Sequence, residues 1–368
     1  MQEEGVMAKR IFVAATGQNC GKTTMSVSLM HLARKKYRRV GFIKPIGPKI
    51  ESYGKMMIDM DAILMAKTYG LEKDIALMNP VPLHRGFTKE FLEGNIDGRI
   101  LCEKIVKAVE ELDRKTDFLI IEGAGHGGVG SVIGLNNAFV ANIVKAPVMI
   151  VSGSGIGNVI DAVELNLALH QREHADVRLI MVNKLMAEKR DITLKYLKRA
   201  FNYSMEVSGG FNYSPILANP TLSHISKLLK LPIQGDPDAR NRIIHHIQLG
   251  AASSQKVVDF LLDATLLIVT GSRDELIVTL SSLYHIPEWK QKIAGIIITG
   301  HTPISRISQQ ILDESTIPYI RVEETTANVF TALTEDVSKI TAEDQEKLSW
   351  IQANADHDID FDLIDKVF

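Results

Sequence analysis

The stretch AATGQNCGKTT (14–24) follows the apolar run IFV and precedes a segment whose apolar residues recur with helical spacing. Its end matches the phosphate-binding loop Gly-x4-Gly-Lys-[Ser/Thr], in which backbone N–H groups hold phosphates, the lysine reaches the β and γ groups and the hydroxyl binds Mg2+. Gly21, Lys22 and Thr23 fit this pattern, although Thr16 stands where the first glycine is expected. The strand–loop–helix context predicts a nucleotide site; the alternative is a glycine-capped helix start with a surface lysine.

Short runs of β-branched or aliphatic residues recur along the chain, with helical patterns between them. Such alternation indicates a parallel sheet with crossover helices, and runs that are apolar throughout suit strands covered on both faces. We therefore predict an α/β fold with a doubly wound, mostly parallel sheet, whose ligands bind beyond the carboxyl ends of the strands. The predicted strands are IFVAA (11–15), VGFIK (40–44), FLIIE (118–122), VMIVS (148–152) and LIMVN (179–183).

A change of composition marks a domain boundary at PIQGDPDARNR, which is dense in proline, glycine and charge. A second, smaller α/β unit is predicted after it, with strands LLIVTG and AGIIITG. The tail DHDIDFDLIDKVF alternates acidic and apolar residues, which favours a short edge strand or a partner-docking segment over a metal site. The predicted divisions are 1–235, 236–350 and the acidic tail 351–368.

Composition narrows the function classes. The 42 basic and 44 acidic side chains give a net charge of -2, with no basic block, so a nucleic-acid partner is not expected. The start lacks a signal-peptide pattern and no run approaches the ~18 apolar residues of a membrane span, so we expect a cytoplasmic protein without membrane association. Cys20 and Cys102 are the only cysteines, and we expect reduced thiols rather than disulfides.

Charged side chains stand at the ends of other predicted strands. Glu122 follows FLII, in the place of the acidic Mg2+ partner of phosphate-loop proteins. Lys44, in FIKP, would neutralise a second anion or else be a solvated strand-end lysine. Asp59 and Asp61 open a predicted helix, where capping competes with metal binding.

Several motifs, taken in order, resemble those of dethiobiotin synthetase and its relatives: AATGQNCGKTT, FIKPIG, DMDA, RGFT, EGAGHGGVGS, SGSGIGNVIDAVELN and VNK. The relatives include cobyrinic acid a,c-diamide synthase and the amino-terminal domain of long phosphotransacetylases. This resemblance covers roughly residues 9–235. Residues 245–350 resemble the DRTGG domain, although TGSRDELI preserves its signature only in part.

The resemblance implies an ATP-dependent enzyme. Dethiobiotin synthetase forms a carbamate from a diamine and CO2, phosphorylates it with ATP and closes a ring with loss of phosphate. Carried over by position, Lys22 holds the β and γ phosphates and Lys44 stabilises the transferring phosphoryl group. Mg2+ would be bound by Thr23, Asp61 and Glu122. The remaining nucleotide contacts would be Gly17, Gln18, Asn19, Cys20, Gly21, Thr24 and, against the adenine, Asn183.

The departures from the family concern the acceptor. Gln18 stands where dethiobiotin synthetase has a substrate-contacting threonine, which leaves diamine recognition open. His126, in EGAGHGG, is a substrate contact, an acid–base group or only a hydrogen-bonding residue. Gly125 and Ser152 complete the candidate substrate contacts. Neither cysteine has the sequence context of a glutaminase nucleophile.

Two functions follow as hypotheses. The first is an Mg-ATP-dependent synthetase that activates a small carboxylate or carbamate by phosphorylation; the second is an ATP-sensing regulatory module. The acetyltransferase domain of phosphotransacetylases lies beyond their DRTGG domain, and this sequence stops at Phe368, so acetyl transfer is not expected. A MinD-like membrane switch is disfavoured because its extra loop lysine and amphipathic anchor are missing. The resemblance also implies a homodimer.

Overall fold

The computed structural model describes residues 8–201, 205–336 and 339–368. It divides into two compact units. The first unit consists of Met1–Ser214 together with Ile340–Phe368, and the second of Pro215–Lys339. Among the described residues, no helix is long and apolar enough to cross a membrane.

The first unit begins with eighteen elements in chain order: β1 (Lys9–Ala15), α1 (Lys22–Lys36), β2 (Val40–Ile43), β3 (Ile46–Gly47), β4 (Ile50–Tyr53), β5 (Met56–Asp59), α2 (Met60–Tyr69), α3 (Ile75–Met78), β6 (Val81–Pro82), α4 (Phe87–Leu92), α5 (Gly98–Asp113), β7 (Phe118–Glu122), α6 (Asn137–Ile143), β8 (Val148–Ser152), α7 (Ile156–Arg172), β9 (Val177–Val182), α8 (Arg190–Phe201) and β10 (Glu206–Gly209). The second unit contains α9 (Pro215–Ala218), α10 (Leu222–Leu229), β11 (His246–Leu249), α11 (Ser254–Asp259), β12 (Thr265–Thr270), α12 (Asp274–Tyr284), α13 (Pro287–Lys292), β13 (Ile293–Thr299), α14 (Arg306–Glu314), β14 (Tyr319–Arg321) and α15 (Thr326–Glu335). The chain then returns to the first unit with α16 (Gln345–Asp358) and α17 (Phe361–Val367).

The main sheet of the first unit has the strand order β10-β9-β8-β1-β7-β2, and every neighbouring pair is parallel. Each residue of β7 and β8 is buried, as expected for strands covered on both faces. From β1 the chain moves out to β2 on one side, and it later crosses to β8 on the other. The strand order therefore reverses beside β1, where open α/β sheets bind their ligands. The predicted doubly wound fold is confirmed.

Two features of this unit have no clear sequence signal. The edge strand β10 reads EVSG, with a single apolar residue that aliphatic patterning cannot detect. Strands β4 and β5 form an antiparallel hairpin whose turn contains Gly54 in the left-handed region, at φ 61. This hairpin leads directly into α2 and so positions the start of that helix.

The second unit is a smaller α/β domain, as predicted. Its strands form a parallel sheet in the order β11-β12-β13-β14. Buried side chains of α12 and α14 pack on one hydrophobic cluster of this sheet, and those of α10 and α15 on another. The strands predicted from LLIVTG and AGIIITG are β12 and β13, each displaced by one residue.

The compact units differ from the divisions predicted from composition. The second unit begins at Pro215, before the proline-rich boundary, and residues 340–368 belong to the first unit. The expected edge strand in the tail is wrong, because this segment forms α17. Its residues Phe361 and Ile364 are three positions apart and so share one helical face, whereas a strand would place them on opposite faces. Packing selected the helix: Ile364 is fully buried and the Phe361 ring lies 6.1 Å from that of Phe118.

Asp365 fixes α17 to the first unit. Its carboxylate accepts hydrogen bonds from Lys9 at 2.7 Å and from Tyr37, and it pairs with Lys36 at 2.5 Å. Burial acts to raise the pKa of Asp365, but the hydrogen bonds from Lys36, Lys9 and Tyr37 outweigh it and lower the pKa to about 2.

We expect Asp365→Asn to lower the free energy of unfolding at pH 7 by about 1–2 kcal/mol, since one pKa unit is worth about 1.4 kcal/mol and the site is partly screened. A lowered carboxyl pKa stabilises the fold above the unfolded value of about 3.9, and this stability is lost as the pH falls towards the folded value. Urea unfolding between pH 7 and pH 2.5 should show the variant and the wild type converging. Asp362→Asn, on the exposed face of the same helix, is the matched control. A constant difference across the range would contradict the assigned role.

Candidate nucleotide site

The loop between β1 and α1 adopts the geometry that phosphate binding needs. Gly21 precedes the first residue of α1 with φ 98, and Asn19 is also left-handed, at φ 59. A Cβ on Gly21 would lie 2.2 Å from Nδ2 of Asn183, so a larger residue is excluded by both conformation and space. The backbone N–H groups at the start of α1 are thereby left facing the loop, as in anion-binding helix termini.

The Lys22 side chain reaches from this loop to a second loop. Its Nζ donates to the backbone carbonyl of Gly125, in the glycine-rich segment after β7. Burial lowers the pKa of Lys22 to about 8, and the positive charge of Lys44 contributes in the same direction. The predicted phosphate-binding lysine therefore connects the phosphate loop to the glycine-rich segment after β7, and it loses its proton at a lower pH than an ordinary lysine.

Four predicted site residues meet at the carboxyl ends of β1, β2 and β7. Lys44 Nζ donates to Asp61 Oδ2 and to Glu122 Oε1, both at 2.7 Å. The Thr23 hydroxyl lies 3.2 Å from Asp61 Oδ1 and 3.3 Å from Glu122 Oε1. We call Thr23, Lys44, Asp61 and Glu122 the charged cluster. The lysine and both carboxylates are almost fully buried, which decides against a solvated strand-end role for Lys44.

Neighbouring residues hold the cluster in place, and they separate the roles of the two aspartates. Asp59 caps α2, because its Oδ1 accepts from the Asp61 N–H at 2.9 Å. The Asp61 carboxylate reaches the cluster instead of capping the helix. Asn79 donates from Nδ2 to the Lys44 carbonyl at 2.8 Å and accepts from the Asp59 N–H at 3.0 Å. Asn79, buried but without a recognisable motif, was missed by the sequence analysis.

The charged cluster has more negative than positive groups, so it can accept another cation. Burial acts to lower the pKa of Lys44, but Asp61 and Glu122 outweigh it, so the pKa of this lysine is raised. One ammonium opposes two carboxylates, and Glu122 Oε2 is buried without a hydrogen-bond partner. Oxygen ligands of this kind suit Mg2+.

The protein residues supply only some of the ligands that Mg2+ would need here. In the described part of the chain, no group of three or more His, Cys, Asp or Glu side chains could hold a metal by itself. The protein offers Asp61, Glu122 and the hydroxyl of Thr23. Because Mg2+ usually keeps waters and binds substrate phosphates alongside one or two carboxylates, the remaining ligands would come from outside the chain.

Asn183 is placed differently from the base contact that the resemblance implies. Its Nδ2 donates to the Cys20 carbonyl at 2.9 Å, and its Oδ1 accepts from the Phe211 N–H at 3.0 Å. The side chain is nearly fully buried. Asn183 thus fixes the phosphate loop to the segment after β10, and an adenine contact stays a prediction.

The candidate substrate residues do not form one group. Gly125 receives Lys22, whereas His126 is exposed and its Nδ1 accepts from the Gly128 N–H at 3.2 Å. Ser152 is buried, with its hydroxyl 3.2 Å from that of Thr16. Asn137 was missed by sequence reasoning: it holds the glycine-rich segment by two bonds to Ala124 and one to the His126 carbonyl.

The other loop residues lie where the motif puts them. Gln18 and Asn19 are exposed, Gly17 and Cys20 are half-buried, and Thr24 is buried in the first turn of α1. The Cys20 thiol lies 3.6 Å from the Thr16 hydroxyl. The exposed Gln18 side chain is free to face a ligand in this loop.

Comparison with known proteins gives two family matches. A model of an AAA domain, AAA_26, matches residues 9–233, and a model of the DRTGG domain matches residues 229–335. The phosphate acetyltransferase of Nitratidesulfovibrio vulgaris is 23% identical over 366 residues, which are 96% of this chain and 51% of that protein. The chain thus spans about half the length of that relative.

Other relatives match a smaller share of the chain. The ATP-dependent dethiobiotin synthetase BioD of Xanthomonas axonopodis is 25% identical over 146 residues, covering 40% of this chain and 65% of that enzyme. Among solved structures, the MinD cell division protein of Aquifex aeolicus is 18% identical and covers 57% of this chain and 84% of its own, with a TM-score of 0.33. The predicted resemblance to the dethiobiotin synthetase and phosphotransacetylase group is confirmed.

Removing the Lys44 charge should destabilise the first unit. Lys44→Met leaves Asp61 and Glu122 buried without their cation, and loss of one partner from a buried ion pair costs about 3–5 kcal/mol. We expect a loss of that size in urea unfolding at pH 7, and partial recovery in Lys44→Met/Glu122→Gln, which carries one carboxylate fewer. Lys49→Met, at an exposed lysine of the same segment, is the control. Equal stability of Lys44→Met and wild type would show that the cluster is not charged as described.

Proposed function

The chain belongs to the AAA_26 family of AAA domains, and from this we propose that it binds Mg-ATP and transfers the γ-phosphoryl group to the carboxylate or carbamate of a small molecule. The observation that carries the proposal is the charged cluster beside the phosphate loop. Phosphoryl transfer requires positioned positive charge around the transferring group more than it requires covalent chemistry. Two lysines, together with carboxylates that would hold Mg2+, support this requirement at the end of one sheet.

Each residue of the site has a role in this proposal. Backbone N–H groups of the loop would bind the phosphates, and Lys22 would exchange the Gly125 carbonyl for the β- and γ-phosphate oxygens. Thr23, Asp61 and Glu122 would hold Mg2+, which when bound neutralises charge between those phosphates. Lys44, no longer needed as the only counter-ion of the carboxylates, would offer its ammonium group to the transferring phosphoryl oxygens.

A second function is favoured by a different observation. The match to phosphate acetyltransferase runs through both units and covers about half of that protein. A P-loop domain followed by a DRTGG domain would serve as an ATP-sensing module if the first unit bound ATP tightly and turned it over slowly. The cluster supports binding in both cases, so turnover and its stimulation separate the two functions.

Turnover is tested by phosphate release from Mg-ATP, with the protein alone and then with candidate acceptors. The panel contains 7,8-diaminopelargonate with bicarbonate, cobyrinic acid and small dicarboxylates. We expect one compound to raise the rate at least about tenfold, and Lys22→Ala to abolish that activity through loss of phosphate binding. Tight ATP binding with slow turnover that no compound stimulates would replace the synthetase proposal with the sensing module.

The lowered pKa of Lys22 predicts the pH dependence of ATP binding. Phosphate oxygens favour the charged lysine, so binding should take up protons around pH 8, and affinity should fall by up to about tenfold per pH unit above that value. Calorimetry at pH 7, 8 and 9 in buffers of different ionisation enthalpy measures both quantities. Lys22→Arg, whose guanidinium stays charged throughout, is the matched control. The same wild-type affinity at pH 7 and pH 9, without proton uptake, would contradict the prediction.

A further inference from the structure

A pocket of about 250 Å³ lies in the first unit, at the sheet edge opposite the phosphate loop. Val40, Gly41 and Phe42, at the start of β2, line it, as does Thr116, two residues before β7. These positions mark the amino ends of parallel strands, whereas the charged cluster lies beyond their carboxyl ends. The pocket is therefore separate from the candidate nucleotide site.

The rim of this pocket carries excess positive charge. Its lining residues include four cations, Arg34, Arg38, Arg39 and Lys115, against the single carboxylate of Asp74. A rim of this composition attracts anions, and guanidinium groups suit carboxylate and phosphate because they donate paired hydrogen bonds.

Two of these cations are already paired with acids. Arg39 is bound to Asp117 through its side chain and its backbone N–H, and Lys115 Nζ lies 2.7 Å from Asp74 Oδ1. The other two make no ion pair in the described ranges. Arg34 donates to the Tyr69 carbonyl at 2.9 Å and lies over its ring, and Arg38 is exposed, with its charge helping to lower the pKa of Asp117. Arg34 and Arg38 can therefore bind a ligand without breaking an ion pair.

The inner wall of the pocket is apolar. Phe42, Met78 and Leu112 line it and are themselves almost fully buried. These buried side chains offer an occupant almost no apolar surface, so binding would come from the rim. We propose that the pocket binds a small phosphate or carboxylate compound, with its anionic group on Arg34 and Arg38.

The pocket shares backbone with the nucleotide site. Phe42 lies in β2, two residues before Lys44, which follows the end of that strand. The Met78 carbonyl accepts the Lys44 N–H at 2.7 Å. Asn79, the next residue, binds the Lys44 carbonyl at 2.8 Å. An occupant of the pocket therefore lies beside the segments that position Lys44. Resting on the proposed function, the pocket becomes an effector site whose occupancy changes Mg-ATP affinity.

The binding test uses phenyl phosphate and benzoate, which share the ring and differ in the anionic group. Protein labelled with 13C at the methionine methyls reports where each probe binds. Met78 lines the pocket, and its signal is assigned by Met78→Leu. Met25 packs in α1 near Gly210, beside Asn183 and the phosphate loop, and reports binding there. We expect at least one probe to shift the Met78 methyl saturably, and benzyl alcohol, which lacks the charge, to bind at least about tenfold more weakly.

Variants separate the pocket from the phosphate loop. Arg38→Ala should weaken the Met78 response about tenfold, the scale of one charge-assisted hydrogen bond, and Arg34→Ala/Arg38→Ala should abolish it. Lys104→Ala, an exposed cation of α5 outside the pocket, should not change it, and neither should Lys22→Ala. A response confined to Met25 and lost in Lys22→Ala would mean binding at the phosphate loop only. That result, or no saturable shift at Met78 with either probe, would overturn the proposal.

The effector role is tested on wild type and Arg34→Ala/Arg38→Ala. A saturating probe should change the Mg-ATP dissociation constant of the wild type by about fivefold or more, in the range of typical allosteric coupling, and leave that of the variant unchanged. The same change in both proteins would be competition at the phosphate loop and would contradict an effector role, as would no change in either. Failure of wild type to bind ATP at all would sink the proposed function but not the pocket, which the methyl signals measure independently.

Discussion

The buried contact of the Lys44 ammonium with the carboxylates of Asp61 and Glu122 is the constraint on which the functional half of this molecule depends. Charges out of water are tolerated only when they are paired and hydrogen-bonded, so three segments distant in sequence must meet within hydrogen-bond range. The Asp59 cap and Asn79 serve this contact by fixing the start of α2 and the end of β2. The pairing also leaves the cluster able to accept a further cation, because the two carboxylates carry one more negative charge than the lysine neutralises.

Helix α1 connects the parts of the first unit. Its first residues, Lys22 and Thr23, belong to the nucleotide site, and Arg34 in its last turn belongs to the cationic pocket. Buried residues surround most of the helix, since the sheet lies on one side and α16 and α17 pack against it as well. The carboxyl-terminal segment is thus part of the structural support of the phosphate loop. The Trp350 ring, 5.6 Å from that of Phe211, supports the segment that Asn183 joins to the loop.

The family match and the geometry of the site answer different questions about function. The family match identifies an AAA domain over residues 9–233, and the geometry brings a lysine, a hydroxyl and two carboxylates together beside the loop that contains Gly21 and Lys22. The candidate contacts of a phosphoryl acceptor do not join the charged cluster. Gln18 and His126 are exposed, and the Ser152 hydroxyl lies next to that of Thr16. The residues of the charged cluster are held by hydrogen bonds among buried groups, whereas Gln18 and His126 stand at the surface.

The sequence by itself determined the parallel α/β fold and the place of the phosphate loop, whereas the cluster residues were implied only by the family resemblance. The fold and the loop follow from local physics: uniformly apolar runs must be covered on both faces, and a strand–loop–helix with Gly21, Lys22 and Thr23 can be recognised within a few residues. Only the tertiary structure decided between alternatives that are locally equal. Asp59 caps α2, while Asp61 accepts a hydrogen bond from Lys44. Lys44 is buried instead of solvated, and α17 is a helix instead of an edge strand. Each choice depends on partners from distant segments, such as Asn79, Glu122 and Lys9, whose proximity exists only once the chain has folded.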